Sequence, residues 1–84
     1  MSRVIIDVRE PIEYKMGHVK GAINIPVSRI HTARELEEIE KETEIICYCR
    51  SGGRSGMAIS ILSQLGYTKL TNGIHKANVE AKYL

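Results

Sequence analysis

Apolar residues along this chain fall into short runs separated by polar and glycine-containing breaks, and their spacing changes from run to run. Arg3-Val4-Ile5-Ile6-Asp7 is apolar and β-branched between polar ends, which predicts a buried strand. Glu10-Pro11-Ile12-Glu13-Tyr14 suits a short helix with proline in its first turn, ended by Gly17. Residues 22–25 predict a brief second strand closed by Pro26. Ser28 or Thr32 is placed to cap a helix running to about Lys41, with Ile30, Ala33, Leu36 and Ile39 as its inner stripe. Residues 44–48 predict the third and most apolar strand. A helix follows from near Arg54, buries Met57, Ala58, Ile61, Leu62 and Leu65, and stops at Gly66. Residues 68–70 predict a short last strand, then a loop at Asn72-Gly73 and a weak terminal helix from about Ile74.

Strands alternating with helices imply an α/β fold: a three-layer α/β/α domain around a small, mostly parallel sheet of about four strands. In such sheets ligands bind beyond the carboxyl ends of the strands. The third strand ends in Cys49-Arg50-Ser51-Gly52-Gly53-Arg54, so a thiol, two cations and two glycines lie between a strand end and a helix start. A thiolate is stabilised and an anion bound at such a place, which points to a cysteine nucleophile acting on a small anionic substrate.

Composition narrows the setting. With 84 residues the chain is a single small domain, and 43% hydrophobic with 26% charged residues excludes a disordered chain. A net charge of +2 argues for neither nucleic acid nor membrane as a partner, and no apolar stretch approaches a membrane span of roughly 20 residues. The start passes directly into a strand-like run without a signal-peptide layout, so a cytoplasmic location is the default. Cys47 and Cys49 on one strand would place their Cα atoms roughly 6.5–7 Å apart, at the edge of disulfide geometry, so both thiols are expected free. The two cysteines and three histidines lack zinc-site spacing, and no metal or cofactor is expected.

Two separated stretches resemble one family. Cys49-Arg50-Ser51-Gly52-Gly53-Arg54-Ser55 after a buried strand resembles the active-site loop of single-domain rhodaneses, the thiosulfate sulfurtransferases. Asp7-Val8-Arg9, Glu13-Tyr14 and the run from Gly17 to Pro26 resemble that family's first signature, and Leu65-Gly66-Tyr67 and Asn72-Gly73-Ile74 its later landmarks. The resemblance implies a single rhodanese-like domain over residues 1–84 in which the family's usual first strand is missing. It also departs from the family where a tryptophan often follows Gly-Ile, since Ala77 and Asn78 stand there.

The activity implied is transfer of sulfane sulfur from thiosulfate, or another small anionic donor, to cyanide, a thiol or a sulfur-acceptor protein through a persulfide on Cys49. Arg50 and Arg54 would hold the substrate's oxyanions, with Ser51 and Ser55 as secondary donors and Gly52 and Gly53 letting the chain curl around the sulfur. Two arginines favour thiosulfate over mercaptopyruvate. Four residues separate Cys49 from Arg54, one fewer than in the phosphatases and arsenate reductases of this fold, which suits a sulfur atom. The competing readings are a non-catalytic interaction module and, behind it, a phosphatase or arsenate reductase. Asp7 and Arg9 are expected to support the site by an ion pair or by hydrogen bonds to the loop. Cys47 is expected in the core. His18 is expected to hold a turn, and His31 and His75 to be solvated.

Overall fold

A computed structural model describes residues 3–84. Four strands, β1 (Arg3–Asp7), β2 (Ile23–Asn24), β3 (Glu44–Cys49) and β4 (Lys69–His75), form one sheet in the order β2-β1-β3-β4, with every pair parallel. The chain leaves β1 toward β2 on one side, then returns past it to lay down β3 on the other. The reversal puts a crevice beyond the carboxyl ends of β1 and β3, where ligands of open parallel sheets bind. Cys49 is the last residue of β3.

Both faces of β1 and β3 are covered, which is why their sequences read as continuous apolar runs. Ile6, Val8, Ile45, Cys47 and Cys49 face one layer with Ala58 and Leu62 of α2 (Gly53–Gln64). Ile5, Ile46 and Tyr48 face the other with Val19, Ala22 and Val79 of α3 (Lys76–Tyr83). The short helix α1 (Pro11–Lys15) contributes no buried residue; Tyr14 anchors its end by donating its hydroxyl to Ala22 O at 2.7 Å.

Three elements differ from their sequence expectations. The helix expected up to Lys41 is two 3₁₀ segments, Val27–Thr32 and Arg34–Glu38, broken by extended Ala33. The apolar residues recur at every third position, the period of a 3₁₀ helix rather than of an α-helix, and Ile30, Ala33 and Leu36 do bury as a stripe. In α2, Met57 is 61% exposed, because it lies about 100° around the helix from Ala58, and Leu65 falls just past the last helical residue. The buried line is Ser55, Ala58 and Leu62.

The third difference matters most for the site. The last strand does not end at residue 70; Asn72-Gly73 lies inside β4 as a bulge. Cys47 pairs with Asn72 but Tyr48 pairs with Ile74, leaving Gly73 as the extra residue. Asn72 satisfies the kink from its own side chain, its Oδ1 accepting Ile74 N–H at 2.9 Å, while Ile74 takes a φ of +72°. The turn chemistry of an Asn-Gly pair is thus spent within a strand.

Gly73 is fixed by packing. A Cβ there would stand 2.5 Å from Val79 Cγ2 and 3.0 Å from Ile46 Cγ2. Gly73→Ala is therefore expected to destabilise the fold by about 1–3 kcal/mol, as overpacking does. Urea denaturation reads this directly, and an unchanged midpoint would contradict the packing described.

Candidate active site

β3 ends at Cys49 and α2 starts four residues later, so the sulfur sits under a helix N-terminus. The turn between them requires Gly52, whose φ of +100° lies in the region that side chains other than glycine rarely adopt. Gly52 N–H donates to Cys49 Sγ at 3.1 Å, and Ser55 Oγ lies 3.5 Å from the same sulfur. Gly53 is helical and exposed, and a Cβ there would meet nothing, so the curl around the sulfur rests on Gly52 alone.

Cys49 is 2% exposed. Burial by itself raises a thiol's pKa, but the Ser55 hydroxyl and the backbone N–H groups of Ser55, Ser51 and Gly52 outweigh it and bring Cys49 down to about 7. Cys47, two residues earlier on the same face and fully buried, has no such donors, and desolvation pushes it up to about 12. Both cysteines are free.

The two arginines of the loop differ in their engagement. Arg54 forms a bidentate pair with Glu13 of α1, Nη1–Oε1 at 2.8 Å and Nη2–Oε2 at 3.0 Å. The same Glu13 Oε1 accepts Glu10 N–H at 3.0 Å, and the Arg54 pairing followed by this backbone bond lowers the Glu13 pKa to about 2. Arg50 is exposed and makes no ion pair among the described residues. Ser51 is exposed, whereas Ser55 is fully buried.

Asp7 and Arg9 sit behind the loop. Asp7 is buried and holds Arg9 through Nη2–Oδ2 at 2.7 Å, while accepting the Tyr48 hydroxyl at 2.8 Å. Tyr48 in turn accepts Val19 N–H at 3.0 Å, and Arg9 donates to Gly17 O at 2.7 Å. This network ties β1, β3 and the turn after α1 together rather than touching the sulfur. His18 holds that turn, donating from Nδ1 to Tyr14 O at 2.9 Å and stacking on the Tyr14 ring at 3.7 Å. His75 is exposed, but it also caps α3 by accepting Asn78 N–H at 3.1 Å.

Two residues escaped the sequence reading. Glu13 was legible only as part of a signature, and its partner stands 41 positions away. Asn72 reads as a turn residue, yet it reaches from β4 into the loop, donating from Nδ2 to Gly52 O at 3.1 Å and accepting Ser55 Oγ–H at 2.6 Å. An asparagine paired with glycine signals a turn so strongly that a long-range role leaves no separate trace.

A parallel sheet between helical layers, carrying a neutral-range cysteine in a tight loop at a helix start, defines a cysteine-loop α/β domain. Within that class the chain belongs to the rhodanese family: the rhodanese-like domain model matches residues 1–76. Thiosulfate sulfurtransferase PspE of Escherichia coli is 42% identical over 80% of this chain and 64% of its own length. The thiosulfate:glutathione sulfurtransferase of Saccharomyces cerevisiae is 37% identical over 77% of this chain and 55% of its own length. The chain therefore spans less than two thirds of these curated relatives. A solved rhodanese with anions from E. coli superposes with a TM-score of 0.82 at 38% identity, covering 90% of this chain and 89% of that one.

Two outcomes are expected. Limited alkylation near pH 7, followed by peptide mapping, should modify Cys49 and spare Cys47; equal labelling of both would contradict the difference in their surroundings. Second, because the folded Glu13 pKa is depressed, the Glu13–Arg54 contribution is present above the ordinary value of 4.5 and lost as pH falls through about 2. Both side chains are partly exposed, so screening limits it to about 1 kcal/mol. Glu13→Gln should lower the urea midpoint at pH 7, and the difference from wild type should shrink as the pH falls from 4.5 toward 2.

Proposed function

We propose that this domain transfers sulfane sulfur from thiosulfate, or a related small anionic donor, to cyanide or a thiol through a persulfide on Cys49. The observation that carries this reading is the buried sulfur itself, held by Gly52 N–H at 3.1 Å and ionising near 7. The names of the relatives support it. The preformed thiolate attacks the outer sulfur of thiosulfate; a new S–S bond forms as the old one breaks, and its electron pair leaves with sulfite. The persulfide anion then yields its outer sulfur to the acceptor, and the Cys49 thiolate returns. No general base is needed in either half.

Arg50, exposed in the loop and without an ion pair among the described residues, is suited to the sulfonate oxygens. Arg54, neutralised in part by Glu13, holds α1 against the loop and adds its charge where sulfite departs. The N–H groups around Ser51, Gly52 and Gly53 supply the anion nest, and Ser55 contributes through the sulfur. Asp7 and Arg9 support the sheet beneath. The four-residue spacing from Cys49 to Arg54 favours sulfur over phosphate or arsenate, and the ionising cysteine favours an enzyme over a silent interaction module. The acceptor in this reading is a thiol or a sulfur-acceptor protein; no helix among the described residues is long and apolar enough to cross a membrane.

Incubation with thiosulfate should add the mass of one sulfur atom to the intact protein, and Cys49→Ser should abolish the gain. Wild-type protein that stays unmodified and forms no thiocyanate from cyanide would overturn the reading.

A further inference from the structure

The hydrogen bonds around Ser55 cannot all be made at once. Ser55 Oγ carries one proton, yet it lies 2.6 Å from Asn72 Oδ1, 3.2 Å from Gly52 O and 3.5 Å from Cys49 Sγ. The orientation of the Asn72 amide is fixed from both ends. Its Oδ1 must face the Ile74 N–H donor at 2.9 Å, and its Nδ2 must face the Gly52 carbonyl at 3.1 Å. Ser55 therefore meets an oxygen of Asn72 and has to donate to it. With the proton there, Ser55 turns a lone pair toward Cys49, and the bond between them is made with the sulfur as donor. That arrangement suits the neutral thiol. The thiolate instead needs the Ser55 proton turned toward sulfur, away from Asn72.

We propose that Asn72 is a positioning residue that competes with the Cys49 thiolate for the single Ser55 proton, so that the hydroxyl swings between Asn72 Oδ1, the nearest of its three acceptors, and the sulfur as the thiol ionises. Ser55 is fully buried, so its hydroxyl proton has these protein acceptors rather than water, although Asn72 itself lies at the surface. The regular register of β4 sets Asn72 opposite Cys47, and the bulge at Gly73 just after it brings Ile74 N–H onto Oδ1, leaving Nδ2 for Gly52 O in the loop. In the thiol state Ser55 Oγ–H is on Asn72; on ionisation the sulfur loses its proton to solvent and Ser55 rotates to donate to it. Asn72 then keeps Ile74 and Gly52 as partners. The role of Asn72 is thus to hold Cys49 ionisation higher than the loop alone would set it.

The charged groups on the elements packed around this site are Arg50 and Arg54 of the loop and α2, Glu10 and Glu13 at α1, Asp7 at the end of β1 with Arg9 just beyond it, and His75 on β4 opposite Cys49. Neither Asn72→Ala nor Ser55→Ala alters any of them. The inference deepens the reading of Cys49 as nucleophile, and its test is an alkylation reaction that proceeds whether or not sulfur transfer occurs.

The pH dependence of Cys49 alkylation by iodoacetamide, in the full chain, is the readout. Asn72→Ala should move the midpoint down by about half a unit or more, since a charge-assisted bond to sulfur replaces the lost one. In a Ser55→Ala chain the same Asn72→Ala change should move it by nothing. A midpoint that rises or stays put in Asn72→Ala, or falls equally without Ser55, would overturn the proposal. Should Asn72→Ala fail to fold, Asn72→Asp decides: its carboxylate should hold the proton and raise the midpoint, by at least about twofold more with Ser55 than without it. Equal rises would contradict the proposal.

Discussion

A sulfur atom that is almost wholly buried and still ionises near neutrality is the constraint around which this domain is arranged. Burial and ionisation oppose each other: the apolar layer that keeps Cys49 out of water also disfavours its charge. Cys47 shows what the layer does unopposed, on the same strand and the same face. Two residues further on, the strand ends, the chain turns through Gly52, and N–H groups that a sheet would have consumed point at sulfur instead.

That local answer depends on distant parts of the chain. The loop is clipped to β4 by Asn72 and to α1 by the Glu13–Arg54 pair, so elements from both ends of the sequence fix its shape. Beneath it, the buried Asp7–Tyr48 contact locks β1 to β3, and Arg9 carries the lock out to the turn at Gly17. Every one of these polar groups is matched, and no buried side-chain nitrogen or oxygen among the described residues lacks a partner. A small domain can hold an ionising thiol in its interior when the polar network around it is complete.

The alternation of apolar runs made the layered α/β architecture legible, because both faces of β1 and β3 are covered and their residues are apolar throughout. The cysteine loop was legible because its residue types and spacing are local. What stayed hidden was long-range or ambiguous in period. A stripe at every third residue from Ile30 to Ile39 has the period of a 3₁₀ helix, but each i, i+3 pair within it also fits an α-helical face, so the pairs taken singly read as an α-helix. Asn72-Gly73 carries the signature of a turn, and nothing in the sequence says that the bulge it makes lies within a strand or that Asn72 reaches the cysteine loop. The Arg54–Glu13 pairing required knowing that α1 packs beside the loop.

The most direct measurement is the thiolate absorbance of the wild-type protein minus that of Cys49→Ser, followed across pH. The expected difference is a single titration with its midpoint near 7. A midpoint at or above the ordinary thiol value of 9.0 would mean that the loop's donors do not outweigh burial, and would contradict the description of Cys49 as a preformed nucleophile.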